Sequence, residues 1–68
     1  MKKQDLVEWI IENGTYLVTV REDTFKINLY RVKKDHWEIY FNLRLNCVTR
    51  AGKVTLDGMN KFLPMIDF

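Results

Sequence analysis

The chain has no serine, one cysteine, one histidine, one proline and three glycines. A lone cysteine excludes a disulfide framework. One cysteine with one histidine cannot build a Cys/His zinc finger within one chain. The lack of serine removes a serine nucleophile and a flexible Gly/Ser linker. The glycines stand apart at positions 14, 52 and 58, so no loop of the kind that cradles phosphates is present. Long apolar runs are missing as well. The longest are three residues, such as Trp9-Ile10-Ile11, whereas a membrane span takes about 20 and an export-signal core about 7–15. Neither is expected, and an unpaired cysteine fits a reducing cytoplasm.

What the chain does have is 47% apolar residues beside 29% charged ones. That is a globular composition, too apolar for disorder. Its 68 residues make one small domain over positions 1–68. So short a core, with neither disulfide nor metal, has a thin stability margin. That favours burial of apolar surface against a partner or in a homodimer. The net charge is +2, unevenly placed: residues 14–53 carry +4 between ends that carry −1 each. A mildly basic middle suits a solvated sheet face or an anionic partner.

Residues 5–13 read as a helix. Asp5 can cap it, with Glu8 three residues on as in a capping box, and Leu6, Val7, Ile10 and Ile11 give one apolar face with Trp9 at its side. Gly14 is expected to end it in the left-handed conformation. Residues 15–21 and 25–33 are β-branched and aromatic and read as strands joined through Glu22-Asp23-Thr24. Tyr16, Val18 and Val20 share one face, as do Phe25, Ile27 and Leu29. Lys33-Lys34-Asp35 forms the next turn. Over 36–47, Trp37, Ile39, Phe41, Leu43, Leu45 and Cys47 alternate strictly with His36, Glu38, Tyr40, Asn42, Arg44 and Asn46, which predicts one half-buried antiparallel strand. Arg50-Ala51-Gly52-Lys53 reads as a turn and Val54-Thr55-Leu56 as a short fourth strand. A closing helix over 58–63 is capped by Asp57, points Met59, Phe62 and Leu63 inwards, and stops at Pro64.

The expected fold is α+β. It has two layers: a three- or four-stranded antiparallel sheet with an N-terminal and a short C-terminal helix on one face, the other face in water. Trp37, Ile39, Phe41, Leu43, Ile27, Leu29, Val18, Ile10 and Phe62 should form the core, and Cys47 should pack as a small core residue. In size and order of elements the layout is similar to that of several small phage-encoded inhibitors, including some anti-CRISPR proteins. The absence of an interdomain linker suits a free-standing small protein, and free-standing chains with no catalytic set are expected to act by occupying a surface on something larger.

His36 and Cys47 have opposite parity on one strand, so a Cys–His nucleophilic pair is not expected. His36, Glu38, Tyr40 and Asn42 share a face, but alternate strand positions lie about 6.8 Å apart and an open face is no pocket. No enzymatic activity, cofactor or metal is expected. By parity the exposed face shows Arg21, Lys26, Tyr30, Tyr40, Asn42 and Arg44. Tyrosine and arginine are favoured at protein interfaces. The first expectation is therefore a protein-binding inhibitor or regulator of a larger protein, with these six residues as its binding set. Basic groups beside aromatic rings on a sheet can also hold phosphates and stack bases, so nucleic-acid binding is the alternative. The apolar tail Met65-Ile66-Asp67-Phe68 is expected to dock on the core or to hook into a partner or second copy.

Overall fold

The computed structural model describes residues 2–63. Helix α1 (Lys3–Asn13) is followed by strands β1 (Thr15–Glu22), β2 (Phe25–Val32), β3 (Asp35–Asn42) and β4 (Cys47–Lys53), and then by a short 3-10 helix (Asp57–Lys61). The strands form one antiparallel sheet in chain order, β1-β2-β3-β4. The fold is α+β, with an N-terminal helix and a short C-terminal helical turn.

Helix α1 begins two residues before the expected cap. Lys2 is the N-cap and makes no side-chain cap bond, so the Asp5–Glu8 capping box does not form. Asp5 instead lies in the first turn, where a negative charge suits the helix dipole. Gly14 does end the helix, but in extended backbone (φ −98°, ψ 161°) rather than the left-handed form. Glycine is required there for space. A Cβ would stand 2.6 Å from the Ile10 carbonyl oxygen, which accepts the Gly14 N–H at 2.7 Å.

The long alternating segment is two strands, not one. Asn42 Oδ1 accepts the backbone N–H groups of Arg44 and Leu45, each at 2.9 Å, and Asn46 takes a left-handed φ of 58°. These local bonds compete with strand extension and turn the chain at residues 43–46. Residues 47–53 then return as β4, which absorbs the stretch expected as a turn at 50–53. The fourth strand is thus not at Val54–Leu56, which lies beyond it. Leu43, at 38% exposure, and Cys47 fall outside the core for the same reason.

The register decides which residues share a face. Val32 pairs with Asp35 across the two-residue turn Lys33-Lys34, which sets Ile27 opposite Tyr40, Leu29 opposite Glu38, and Asn28 opposite Ile39. Ile27 and Leu29 therefore point away from Trp37, Ile39 and Phe41, and the sheet carries an apolar set on each side. The expected arrangement, with both helical segments on one face and water on the other, is corrected accordingly. Helix α1 covers the front face, where Trp9 meets Trp37 edge-on at 5.1 Å between ring centres and Ile10, Val32 and Ile39 are buried. The 3-10 helix covers the back face, where Met59 and Phe62 pack with Val20, Ile27 and Leu29.

Of the expected core, Ile10, Ile27, Leu29, Ile39 and Phe62 are buried, while Val18, Trp37 and Phe41 are half-buried. Met59 points inwards as expected, but Leu63 is 45% exposed. Asp57 does not cap the closing helix. Leu56 holds the cap position without a side-chain bond, and Thr55 Oγ1 accepts the Gly58 N–H at 3.1 Å. Pro64 and the tail Met65–Phe68 lie outside the described residues. Both edge strands are bulged: β1 at Leu17, between Tyr16 and Val18, and β4 at Thr49, opposite the Tyr40–Phe41 step. No helix among the described residues is long and apolar enough to cross a membrane.

Candidate interaction surfaces

The six residues expected to form one binding face are divided by the register. Arg21, Lys26 and Tyr30 are on the front face, Tyr40 and Asn42 are on the back face, and Arg44 is in the β3–β4 turn. The structure brings together the first three and separates the rest.

On the back face, Tyr40 is already engaged. Its hydroxyl accepts from Lys61 Nζ at 2.7 Å. The Arg50 guanidinium sits 4.8 Å and the Lys61 ammonium 5.2 Å from its ring centre, and Phe25 meets the ring edge-on at 5.8 Å. Asn42 is likewise occupied in the turn that follows it. The centre of this cluster is Glu38, a carboxylate only 4% exposed beside the buried Leu29. Lys61 Nζ lies 2.9 Å from Glu38 Oε2, and Arg50 reaches Oε1 at 3.4 Å. The Oε2 contact is an ion pair by distance but lacks hydrogen-bond geometry; the well-directed bond of Lys61 goes to Tyr40. Burial by itself lowers the Lys61 pKa. The Tyr40 hydrogen bond and the Glu38 contact and charge outweigh it and hold the ammonium above the ordinary lysine value. This is a structural latch: Lys61 fastens the closing helix to β3, and Arg50 ties β4 to the same carboxylate. Sequence parity placed Glu38 in water; the two basic residues needed to bury it lie 12 and 23 positions further on.

His36 reaches the same face near the closing helix, where it lines a shallow apolar cleft with Leu56, Met59 and Leu63. Among the described residues no three His, Cys, Asp or Glu side chains converge as a metal site.

The front face offers a different arrangement. Helix α1 runs over β2 and β4, while Arg21 and Lys26, at the turn end of the β1–β2 hairpin, stay exposed at a corner of the sheet. Between helix and sheet is a groove of about 190 Å³. Its apolar wall comes from Val7 and Ile11 on α1 and from Tyr30, Ile39, Phe41 and Val48 on the sheet. Lys26 and Asn28, at alternate positions of β2, supply its polar side. Arg21 is the register partner of Lys26, so two cations lie directly opposite each other at the corner. Neither is in an ion pair among the described residues. Beside them Tyr16 and Tyr30 meet edge-on at 5.7 Å, and Tyr16 Oη and Thr19 Oγ1 are 2.6 Å apart. Thr19 in turn donates to Asn28 Oδ1 at 2.7 Å. Ile11 is 54% and Tyr16 53% exposed at the groove margin.

No protein-family model, curated protein or solved structure matches the chain. The site is therefore read from its own geometry. Sequence reasoning found Lys26, Tyr30 and Arg21 but missed the apolar wall, because it placed Ile39 and Phe41 on the face opposite Tyr30. A two-residue turn at Lys33-Lys34 was the signal that would have placed them on the same face as Tyr30.

Proposed function

We propose that this protein is a small non-enzymatic interaction protein that binds a larger protein, as its inhibitor or regulator, through the groove between α1 and the front of the sheet. The observation that carries this reading is the groove itself: Val7, Ile11, Tyr30, Phe41 and Val48 stay at least partly accessible around the buried Ile39, beside the exposed cations Arg21 and Lys26. Exposed apolar surface rimmed by polar groups is the usual mark of a protein-binding site. Tyr30 is the aromatic anchor, Phe41 and Ile11 line the contact, and Lys26 with Arg21 forms the charged rim.

This reading is favoured over nucleic-acid binding by the division of the two tyrosines. Tyr40 is held between Arg50 and Lys61 on the back face, so Tyr30 and Tyr40 do not make a common stacking platform. The front face keeps Tyr30 with Tyr16, edge-on to each other, beside Arg21 and Lys26, which is a narrow field of cations for a phosphate backbone.

A photo-crosslinking amino acid at position 11 tests the proposal, with position 57 on the opposite face as control. In lysate of the source cell, one defined protein adduct from position 11 and none from position 57 is the expected outcome. Equal labelling from both positions would overturn it. A fluorescence titration with single-stranded DNA, single-stranded RNA and duplex DNA at two salt concentrations decides the alternative. Tight binding with a steep salt dependence would replace the protein partner with a nucleic acid.

A further inference from the structure

We propose that the partner segment seated in the front groove is an apolar peptide carrying a carboxylate, which sits at the corner formed by Arg21, Lys26 and Asn28. The inference rests on the reading of the groove as a protein-binding site and adds the chemistry of the occupant.

Three observations converge on an acid. First, Arg21 and Lys26 are direct cross-strand partners. Like charges opposed across a ladder repel each other, and no described acidic residue pairs with either. A carboxylate between them converts this repulsion into two attractions.

Second, the polar side of the groove offers donors. The Lys26 ammonium can only donate. Asn28 has its carbonyl oxygen committed to Thr19 at 2.7 Å, which leaves its amide N–H groups to face a ligand. Residues 26 and 28 are two apart on one strand, about 6.8 Å, so their donors can converge on one carboxylate or on a carboxylate and the next backbone carbonyl. The Thr19 hydroxyl proton is used on Asn28, so Tyr16 donates to Thr19 at 2.6 Å. This chain of bonds fixes the orientation of the amide before anything binds.

Third, the remaining wall is apolar, from Ile11 across to Phe41 and Val48. A free small anion would leave that wall uncovered, and a polyanion would bring charge onto it. A peptide segment with two or more apolar side chains beside an Asp or Glu covers both parts.

The test is a peptide-display selection of random 12-residue peptides against the full chain, repeated with Ile11→Lys and Lys26→Glu. Ile11 and Lys26 are both exposed, so both variants keep the fold, which circular dichroism checks. The expected result is enrichment of peptides with an acidic residue next to apolar ones. They should bind the Ile11→Lys and Lys26→Glu chains at least tenfold more weakly, and replacement of their acid by amide should cost a similar factor. Peptides that depend on Ile11 but show no acidic bias and ignore Lys26→Glu would overturn this inference and leave the groove reading in place. Selected peptides indifferent to Ile11→Lys would overturn both.

Discussion

Leu29 and Glu38 are register partners on β2 and β3 and point to the same face. One is a wholly buried aliphatic side chain and the other a carboxylate at 4% exposure. A charge beside an apolar partner is tolerated because Lys61 and Arg50 reach it from the closing helix and from β4. Their contributions are unequal. The Lys61 side chain is 20% exposed and that of Arg50 is 67% exposed. Lys61→Met should cost about 2 kcal/mol, since it leaves the carboxylate buried without its nearest cation. Arg50→Ala should cost under about 1 kcal/mol. Urea denaturation of the two variants checks the order.

The same latch sets an alkaline limit. Lys61 is held above the ordinary lysine pKa of 10.5 in the folded protein. A raised folded value means that the contribution is complete below the unfolded pKa and disappears as pH rises through the folded one. The latch should thus be insensitive to pH between about 6 and 9 and weaken above about 10.5. Lys61→Met should lose that alkaline decline specifically, as followed by thermal melting from pH 8 to 11.5.

Phenylalanines 41 and 62 separate stability from binding. Phe62 is fully buried at the centre of the back core, so Phe62→Ala should cost about 3–5 kcal/mol, comparable with the whole stability of so small a domain. Phe41 is half-buried and lines the front groove. Phe41→Ala should stay folded and lose partner binding. Near-ultraviolet circular dichroism and calorimetry distinguish the two outcomes.

Lys33 adopts a left-handed φ of 58° at the first position of its two-residue turn. Asp23 and Asn46 do the same, but their short polar side chains tolerate this conformation, whereas lysine has no such local relief. Glycine there removes roughly 1–2 kcal/mol of strain and gives back about 0.5–1 as unfolded-chain entropy. Lys33→Gly should therefore raise the urea midpoint slightly with no change in slope, and Lys33→Val should lower it.

How far the sequence could be read depends on that same turn. The helix, the positions of the first two turns and the alternation within β2 and β3 were legible, because they are local properties; in β1 the bulge at Leu17 puts Tyr16 on the front face, away from Val18 and Val20, and β4 was read as a strand end and a turn. The face of β3 was not. A three-residue turn at Lys33–Asp35 puts Trp37, Ile39 and Phe41 beside Ile27 and Leu29; the two-residue turn puts them on the other side. One residue of turn length thus inverted a whole strand and, with it, two of the six residues of the binding set, Tyr40 and Asn42. Tyr40 and Glu38 moved from solvent to the back core by this change alone. The end of β3 was hidden for another reason: the Asn42 side chain interrupts a pattern of apolar alternation that continues unbroken through Cys47.

The strand order carries a kinetic consequence. Each strand pairs with its neighbour in the chain, so the meander can zip up hairpin by hairpin with little loop-closure entropy at any step. The back face is different, because its plug, Met59 and Phe62, is made after every strand it covers. Until that plug docks, Ile27 and Leu29 lack their cover and the sheet lacks much of its stability, so closing the back face is the step that completes folding, and the bulges in β1 and β4 blunt the two sheet edges against pairing with other chains before it.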